Sequence, residues 1–241
     1  MVLDNHNPLP LHIQLKEILL KEIRQEVYEE KIPSERELMD KYSVSRTTVR
    51  EAVTALVHEG VLEKIHGKGT FINRSHSVNE WLGYLSSFTE TIERMGMESG
   101  AHLLYQGTGS RMEIAETLGV EEYYCIKRLR FADNEPIAIE RHYYPLEIGF
   151  ILKKYDLNQI TLYEKLELEG IVLQDAEQRI SAENPSANDA KLLRISENTC
   201  TLVAQRLITD PLGKPIEYYH SIYQADKYVF SLKMSRGVRV V

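Results

Sequence analysis

The chain has 241 residues, 43% of them hydrophobic and 27% charged, which is the composition of a soluble globular protein with room for two ordinary domains. It has no apolar run of the roughly 20 residues needed to cross a membrane, and no secretory signal is expected from its first residues. The net charge of -7 argues mildly against nucleic acid as a partner, although residues 31–74 hold 8 basic and 6 acidic side chains. Two cysteines without CxxC spacing predict reduced thiols in a cytoplasmic protein.

The chain begins with two predicted helices. Apolar residues recur at helical spacing from Leu11 to Val27, which predicts an amphipathic helix. Pro33 ends this first segment, and Ser34 and Glu37 then form the Ser-x-x-Glu pattern of a capping box. A second, short helix is therefore expected to begin at Ser34.

A third helix and a hairpin follow. In SVSRTTVREAVTALVHEG, Ser45 is a suitable N-cap, apolar residues form a buried stripe, and Gly60 is placed to end the helix. Core packing does not account for the polar first turn of this helix. The segment VLEKIHGKGTFIN predicts two short strands around a Gly-Lys-Gly turn. This order of elements is that of a winged helix-turn-helix, in which the start of the second helix of the turn meets base edges.

Eight residues of this region are candidates for DNA contact. Arginine can bind guanine O6 and N7 through two hydrogen bonds, and threonine can contact a thymine methyl group or a phosphate. The lysine between two glycines stands where the backbone could enter a minor groove. A solvated helix face and an ordinary tight turn are the open alternatives. The candidates are Arg36, Arg46, Thr47, Thr48, Arg50, Gly67, Lys68 and Gly69.

After a polar stretch interpreted as a linker, residues 74–80, the pattern changes to strands with short helices between them. Helices are predicted within WLGYLSSFTETIERMG, TLYEKLELEG and SANDAKLLRIS. Hairpins are predicted within YYCIKRLRFADNEPIAIERHYYP and TCTLVAQRLITDPLGKPIEYYHSIYQADKY. The hairpins resemble each other, with Arg128 matching Arg206 and Pro136 matching Pro215, which suggests an internal duplication or a chance similarity.

The expected fold class is α+β. A winged helix-turn-helix domain is predicted over residues 1–73 and an antiparallel-sheet domain over residues 81–241.

One predicted strand carries two arginines on the same face. Arg128 and Arg130 are two residues apart, and side chains at that spacing share a face of a strand. Two like charges on a half-buried sheet repel each other unless an anion lies between them, and arginine suits phosphate or carboxylate. A helix beginning near Thr161 could add backbone N–H groups and a hydroxyl to that anion. Alternatively, Glu140 and Glu217 pair with the arginines.

Residues 8 to 72 resemble the DNA-binding domain of the GntR family of bacterial transcription regulators, through PLHIQLKEILLKEI and IPSERELMDKYSVSRTTVREAVTALVHEGVLEKIHGKGTFI. The resemblance implies that Arg36, Arg46, Thr48, Arg50 and the wing glycines contact operator DNA. Two departures stand out. The family commonly has glycines before PSER, where this chain has EVYEEK, and a glycine where Ser43 stands.

Residues 80 to 236 resemble the effector-binding UTRA domain of the HutC subfamily, which has a chorismate-lyase-like fold, through RLRFADNEPIAIERHYYP, TLYEKL and KPIEYYHSIYQADKY. Several members, similar to repressors of N-acetylglucosamine utilisation, sense phosphorylated sugars or amino sugars. Others sense histidine-pathway intermediates or alkyl compounds. The resemblance implies Arg128, Arg130, Thr161 and Tyr163 for a phosphate, and Glu140, Glu217 and Tyr223 for hydroxyl or amine groups, and Ser87 and Phe88 complete the predicted effector-binding set. For Tyr163 and Tyr223, the alternative is an ordinary place in the core.

The resemblance implies a homodimeric repressor that binds a palindromic operator, and the paired arginines are what favour a small anionic effector, a phosphorylated sugar or amino sugar. No cofactor, metal or membrane is expected. An enzyme is the rival function, because the effector fold resembles a lyase. We find no paired catalytic carboxylates, nucleophile elbow or credible metal cluster among the eight histidines in the sequence. A non-phosphorylated effector and a purely structural second domain stay open as alternatives.

Overall fold

The computed structural model describes residues 3–4, 8–25, 27–65, 67–72, 77–232 and 234, apart from the side chains of Arg24 and His58. The chain divides into two compact units, Met1–Asn79 with Arg94–Gly96, and Glu80–Glu93 with Met97–Val241. Of the helices in the described part of the chain, none is both long and apolar enough to span a membrane.

The first unit is a winged helix-turn-helix. Its elements are α1 (Leu11–Arg24), α2 (Glu35–Tyr42), α3 (Arg46–His58), β1 (Leu62–Ile65) and β2 (Gly69–Ile72). The two strands pair antiparallel as the predicted hairpin. All three helices contribute to one core, which includes Leu15, Leu19, Leu38, Val49 and Leu56, each fully buried. This core fixes the angle at which α3 presents its polar first turn.

Local side chains set the helix ends as predicted. The Glu37 backbone N–H donates to the Ser34 hydroxyl (3.3 Å) and the Ser34 N–H donates to the Glu37 carboxylate (2.7 Å), so the capping box is present. The Ser45 hydroxyl accepts from the Thr48 N–H and caps α3. Gly60 follows α3 with a φ of 74°, in the left-handed region that glycine favours.

Two local features of this unit differ from expectation. The first helix ends at Arg24, so Val27, expected on its apolar stripe, lies outside it and is 56% exposed. The Val27 N–H donates to the Glu22 carbonyl, which closes the helix early. After α2, Ser43 adopts the left-handed conformation, φ 52° and ψ 45°, which costs residues other than glycine steric strain.

The second unit is built on an antiparallel sheet, and two elements described with it, Val78–Trp81 and Phe88–Arg94, each cross the boundary between the units. Its elements are β3 (Val78–Trp81), α4 (Phe88–Arg94), β4 (Ser99–Gly109), α5 (Met112–Leu118), β5 (Tyr123–Ala132), β6 (Glu135–Pro145), α6 (Leu146–Leu152), α7 (Leu162–Leu168), β7 (Asp175–Glu183), α8 (Ala187–Leu193), β8 (Thr201–Thr209), β9 (Pro215–Gln224) and β10 (Tyr228–Ser231). Six strands form the sheet in the order β4-β5-β6-β9-β8-β7, and β3 pairs with β10. The α+β class is therefore confirmed.

The large sheet has an internal symmetry. The series β4-α5-β5-β6 and β7-α8-β8-β9 have the same order of elements, and β6 pairs with β9 at the centre. The two predicted hairpins, β5-β6 and β8-β9, therefore occupy equivalent places. The similarity of their sequences has a counterpart in the topology, while duplication as its origin stays a prediction.

The predicted linker, residues 74–80, is corrected at its end. Residues 73–76 lie outside the described residues, but Val78–Trp81 form β3. Val78 and Glu80 point inward and are almost fully buried. The sequence gives no local sign that Glu80 is buried, because its partners lie far away along the chain. These partners are Arg206 and Tyr228.

Different helices cover the two faces of the large sheet, because side chains alternate along each strand. On the face we call the front, Tyr124, Ile126 and Tyr144 pack with α6 and α7. On the other face, called the rear, α5 packs beside Tyr123 and α8 beside Leu129. The position of a polar residue along its strand therefore decides which face of the sheet its side chain joins.

Candidate functional site

The candidates on α3 lie at the surface of the first unit. Arg46, Thr47 and Arg50 are exposed, and 78% of the Arg46 side chain is accessible. They border an open groove of about 870 Å³ along α3. Thr48 is half-buried, and its hydroxyl lies 2.9 Å from the Ser45 hydroxyl. The first turn thus offers two exposed guanidinium groups at the end of a helix held firmly by its core, and that of Arg46 lies 3.6 Å from the Glu35 carboxylate.

The remaining DNA-contact candidates surround this turn. Arg36 is exposed on α2, and Lys68 is exposed at the hairpin tip. Gly67 and Gly69 have φ values of 74° and 120°, which L side chains rarely adopt, so the turn depends on glycine. This surface has the helix start and slender wing that a winged helix-turn-helix uses on DNA.

A small cavity lies on the front face of the sheet in the second unit. The volume open to the centre of a water-sized sphere is about 10 Å³, which is roughly enough for one water molecule. We call it the front cavity. It is lined by Glu80, Ser86, Ser87, Phe88, Thr89, Arg128, Arg130, Glu140, His142, Thr161, Leu162, Tyr163, Arg206, Tyr219 and Tyr223. Eight of the nine predicted effector-binding residues are among them, and Glu217 is the exception.

The two predicted arginines converge on one carboxylate oxygen. Arg128 Nη2 lies 3.2 Å and Arg130 Nη1 2.8 Å from Glu140 Oε2, so one of the open alternatives, pairing with Glu140, is present. Arg128 also donates to the Ile160 carbonyl, and Arg130 to the Thr89 hydroxyl. The Arg128 Nε is buried and has no hydrogen-bond partner among the described residues.

Burial and neighbouring charges shift the pKa values of the side chains in this cluster. Burial, reinforced by the like charge of Arg130, lowers the pKa of the Arg128 guanidinium to about 10. Burial alone would raise the pKa of the Glu140 carboxyl, but Arg130, His142 and Arg128 hold it well below its ordinary value. With three arginines and two glutamates in its wall, the front cavity has an excess of positive charge.

Glu217 lies beside the front cavity without lining it. It is fully buried behind the cavity wall, where its carboxylate accepts hydrogen bonds from His142 Nδ1 (2.8 Å) and the Tyr163 hydroxyl (2.9 Å). It pairs with neither Arg128 nor Arg130, and orients residues that line the cavity instead. Glu217 is absent from the lining of the front cavity, and its direct contact with an effector stays a prediction.

His142 joins the two buried carboxylates. Its Nε2 lies 3.3 Å from Glu140 Oε2, and its other ring nitrogen faces Glu217. Burial would lower the pKa of His142, but the charge of Glu217 and the hydrogen bonds with Glu140 and Glu217 raise it above its ordinary value. The two carboxylates therefore favour the protonated form of the imidazole more than water does.

The other predicted residues form the rim and walls. Ser87 caps α4 through a reciprocal pair with Glu90, and the Phe88 ring lies 4.6 Å from the Arg130 guanidinium. Thr161 precedes α7, and its hydroxyl makes no capping hydrogen bond within the described residues. The Tyr223 hydroxyl lies 2.6 Å from that of Tyr219.

Sequence reasoning missed two charged members of the cavity. Arg206 is buried on β8, and its Nη2 lies 3.0 Å from Glu80 on β3. The match of Arg206 to Arg128 in the repeated hairpin was a usable signal, since it places both arginines at equivalent positions. For Glu80 no local signal exists, because its segment has the composition of a linker.

Comparisons with known proteins agree with this architecture. Residues 12–72 match the model of bacterial regulatory proteins of the gntR family, and residues 94–229 match the UTRA domain. The HTH-type transcriptional repressor NagR of Bacillus subtilis is 31% identical over 98% of this chain and 99% of its own. The mannosyl-D-glycerate transport/metabolism system repressor MngR of Escherichia coli is 26% identical over 85% of this chain and 87% of its own.

The crystal structure of PhnF from Mycobacterium smegmatis has the same fold, with a TM-score of 0.64 and 24% identity over 92% of this chain and all of that one. The matched family and these relatives are transcriptional regulators, so the rival enzymatic function is set aside. This protein belongs to the gntR family of bacterial regulatory proteins, as a HutC-type transcriptional repressor that binds DNA through its first unit and carries a UTRA effector domain as its second.

Proposed function

We propose that this repressor acts as a homodimer on a palindromic operator, and that its front cavity binds a small phosphorylated sugar or amino sugar that controls DNA binding. The observation that carries the proposal is the convergence of Arg128 and Arg130 on a single oxygen of Glu140 inside a buried cavity. The DNA-contact residues proposed are Arg36, Arg46, Thr47, Thr48, Arg50, Gly67, Lys68 and Gly69.

The arginine pair favours an anion with several oxygen atoms. One carboxylate oxygen serves both guanidinium groups, and the Arg128 Nε is left without a partner among the described residues. A phosphate offers three oxygens and up to two charges, so it satisfies two arginines better than one shared oxygen does. The hydroxyls of Thr89 and Thr161 lie in the same wall and can donate to the remaining oxygens.

The rest of the wall suits a polar ring. Tyr163, Tyr219 and Tyr223 combine apolar ring surface with hydroxyl groups, which is how protein sites often hold sugars and other polar ligands. Glu80 and Glu140 can accept hydrogen bonds from sugar hydroxyls or an amine. The name of the relative MngR, which refers to mannosyl-D-glycerate, supports a sugar-related effector.

A ligand of this size requires movement, because the cavity has room for about one water molecule. The phosphate has to take the arginines from Glu140, and the segment from Ser86 to Thr89 has to give way. That segment follows β3, whose Glu80 binds Arg206, and β3 follows the polar stretch that joins the two units. Ligand binding therefore strains the part of the chain that leads directly into the DNA-binding unit.

Control of DNA binding follows from dimer geometry. Two recognition helices must enter successive major grooves about one helical turn, roughly 34 Å, apart. A ligand that alters the connection between the units changes this spacing, so the affinity for the operator falls. By thermodynamic linkage, operator DNA must weaken ligand binding by the same factor.

The test is a thermal-shift panel on the full chain, with phosphorylated sugars and amino sugars, their unphosphorylated forms and unrelated anions. A ligand that binds only the folded state stabilises it by roughly 2.7 kcal/mol at a hundredfold excess over its dissociation constant. We expect a shift with one phosphosugar and none with its unphosphorylated form. Equal shifts for both forms, or no shift with any phosphosugar, would contradict the phosphate assignment and favour a non-phosphorylated effector.

A further inference from the structure

A second cavity lies on the rear face of the same sheet, beside α5. It has a volume of about 280 Å³, and we call it the rear cavity. Arg141 and His220 face each other across β6 and β9, and Gln205 is the neighbour of His220 on β8. The three side chains therefore form a polar row across the centre of the sheet, with Tyr218 beside them in the wall.

Two buried polar atoms of this row are unsatisfied. Neither Arg141 Nη1 nor His220 Nδ1 has a hydrogen-bond partner among the described residues. Buried polar groups are nearly always paired, so each exception calls for an explanation. The Tyr218 hydroxyl accepts a hydrogen bond from Gln205 Nε2 (3.1 Å), which leaves its own O–H available to donate. Arg141 Nη1 and the Tyr218 hydroxyl can therefore donate to a ligand beside this row, and His220 Nδ1 can donate or accept according to its tautomer.

The nearby carboxylates are already engaged. Asp189 on α8 is bound by both Arg141 and Lys127, the latter at 2.9 Å. Glu113 lies at the rim, 77% exposed, and pairs loosely with Arg111 at 3.8 Å. The spare donor of Arg141 therefore has no carboxylate of its own to bind within the described part of the chain.

The charge around His220 also favours an incoming anion. Burial lowers the pKa of His220 below its ordinary value, and the charge of Arg141 lowers it further, although Glu183 and Asp189 act in the opposite direction. An anion between Arg141 and His220 would offset the charge of Arg141 and give the unpaired Nδ1 of His220 a partner. This feature is independent of the front cavity, which lies on the other face of β6 and β9.

We propose that the rear cavity is a second ligand site, for a small oxyanion of the phosphate class, held by Arg141 Nη1, His220 and the Tyr218 hydroxyl. The front and rear cavities lie back to back, since Arg141 stands between Glu140 and His142 on β6. Nothing in the proposed response to a phosphosugar depends on this second site.

The experiment follows the imidazole NMR signals of the full-length protein during titration with inorganic phosphate at constant ionic strength. His220 reports on the rear cavity and His142 on the front cavity, and His220→Gln identifies the signal. We expect a saturable shift of the His220 signal. In Arg141→Gln the apparent affinity should fall roughly tenfold or more, because a charged hydrogen bond is lost.

Lys127→Gln is the matched control. It removes the other cation bound to Asp189 on the same face, but Lys127 does not line the rear cavity, so the His220 response should keep its affinity. A His220 signal that does not saturate with phosphate, or that responds equally in Arg141→Gln, would overturn the proposal. A shift of His142 alone would assign phosphate binding to the front cavity only and would also overturn it.

Discussion

The DNA-binding surface and the front cavity place their arginines in opposite environments. Arg46 is 78% exposed at the start of a capped helix, whereas Arg128 and Arg130 are each about 2% exposed within a sheet. An exposed arginine keeps its hydration and can be removed at little cost to the fold. A buried one depends on its partners, because an unpaired buried charge is strongly destabilising.

The comparison separates residues that only bind from residues that bind and also stabilise. DNA contact requires charges that are accessible before the partner arrives. A buried charged cluster already satisfies most of its members internally, so a ligand must replace internal partners such as Glu140. In the proposed mechanism, that replacement is what allows a small ligand to change the structure of the domain.

The largest expected effect is on stability, from Glu140→Ala. The substitution leaves two adjacent buried arginines without a counter-charge, so the free energy of unfolding should fall by about 3–5 kcal/mol. Chemical denaturation measures this change, and inorganic phosphate should restore more stability to the variant than to the wild type.

Glu135→Ala is the control, because Glu135 lies on the same strand and pairs with Lys227 at 3.3 Å, but is exposed. Its loss should cost at most about 1 kcal/mol. Equal losses for the two variants would remove the distinction between the buried and exposed charges.

Arg46→Ala should have the next largest effect, and only on DNA binding. Loss of a two-hydrogen-bond contact with a base costs about 1–3 kcal/mol of binding free energy, while the unfolding transition should not move. Fluorescence anisotropy with a DNA sequence selected by the wild type from a random pool measures the affinity.

Lys21→Ala serves as its control, since it removes another exposed charge, from α1 and outside the candidate contacts. If both variants weaken binding equally and for all sequences, Arg46 contributes only general electrostatic attraction.

The pH dependence of stability distinguishes the buried cluster from the exposed surface. The pKa of His142 is raised in the folded state, so its stabilisation is complete below about pH 6.5 and is lost as the pH rises through the folded-state value. The free energy of unfolding should therefore fall with rising pH, by at most about 1.4 kcal/mol per unit from this group.

His142→Asn should flatten that slope, measured by chemical denaturation between about pH 6 and 9. An unchanged slope in the variant would mean that the imidazole carries no extra proton in the folded state.

The smallest expected effect is a gain in stability from Ser43→Gly. Ser43 has a φ of 52°, and glycine adopts this conformation without the steric cost of a Cβ atom, so the unit should gain about 0.5–1 kcal/mol. Ser45→Gly, at a φ of -66°, should give no gain. Thermal unfolding followed by circular dichroism compares the two variants, and equal responses would show that the local conformation is not strained.

The first unit could be predicted from sequence almost completely, because its signals are local. The capping box of Ser34 and Glu37, the N-cap Ser45 and the glycine turn each lie within a few residues of what they control. The early end of α1 could not be predicted, since apolar spacing continues to Val27 beyond the last helical residue.

The front cavity could be predicted only in part. Arg128 and Arg130 were identifiable because the two-residue period of a strand puts them on one face. Glu80, the partner of Arg206, was not identifiable, because it is 126 residues away in sequence. The surroundings of Glu217 were not identifiable either, because its partners His142 and Tyr163 lie on β6 and α7, far away in sequence.

The most direct test of the account is release of DNA by the phosphosugar that stabilises the wild type, measured for wild type, Arg128→Ala and Lys127→Ala. Arg128 is the more distant of the two cations on Glu140, so Arg130 keeps the carboxylate paired in the variant. Lys127 is the neighbouring cation on β5, ion-paired on the rear face. We predict that Arg128→Ala binds DNA as the wild type does but is not released by the ligand, while Lys127→Ala is released normally. Normal release of Arg128→Ala would contradict the assignment of the buried arginine pair as the site of the effector's anion.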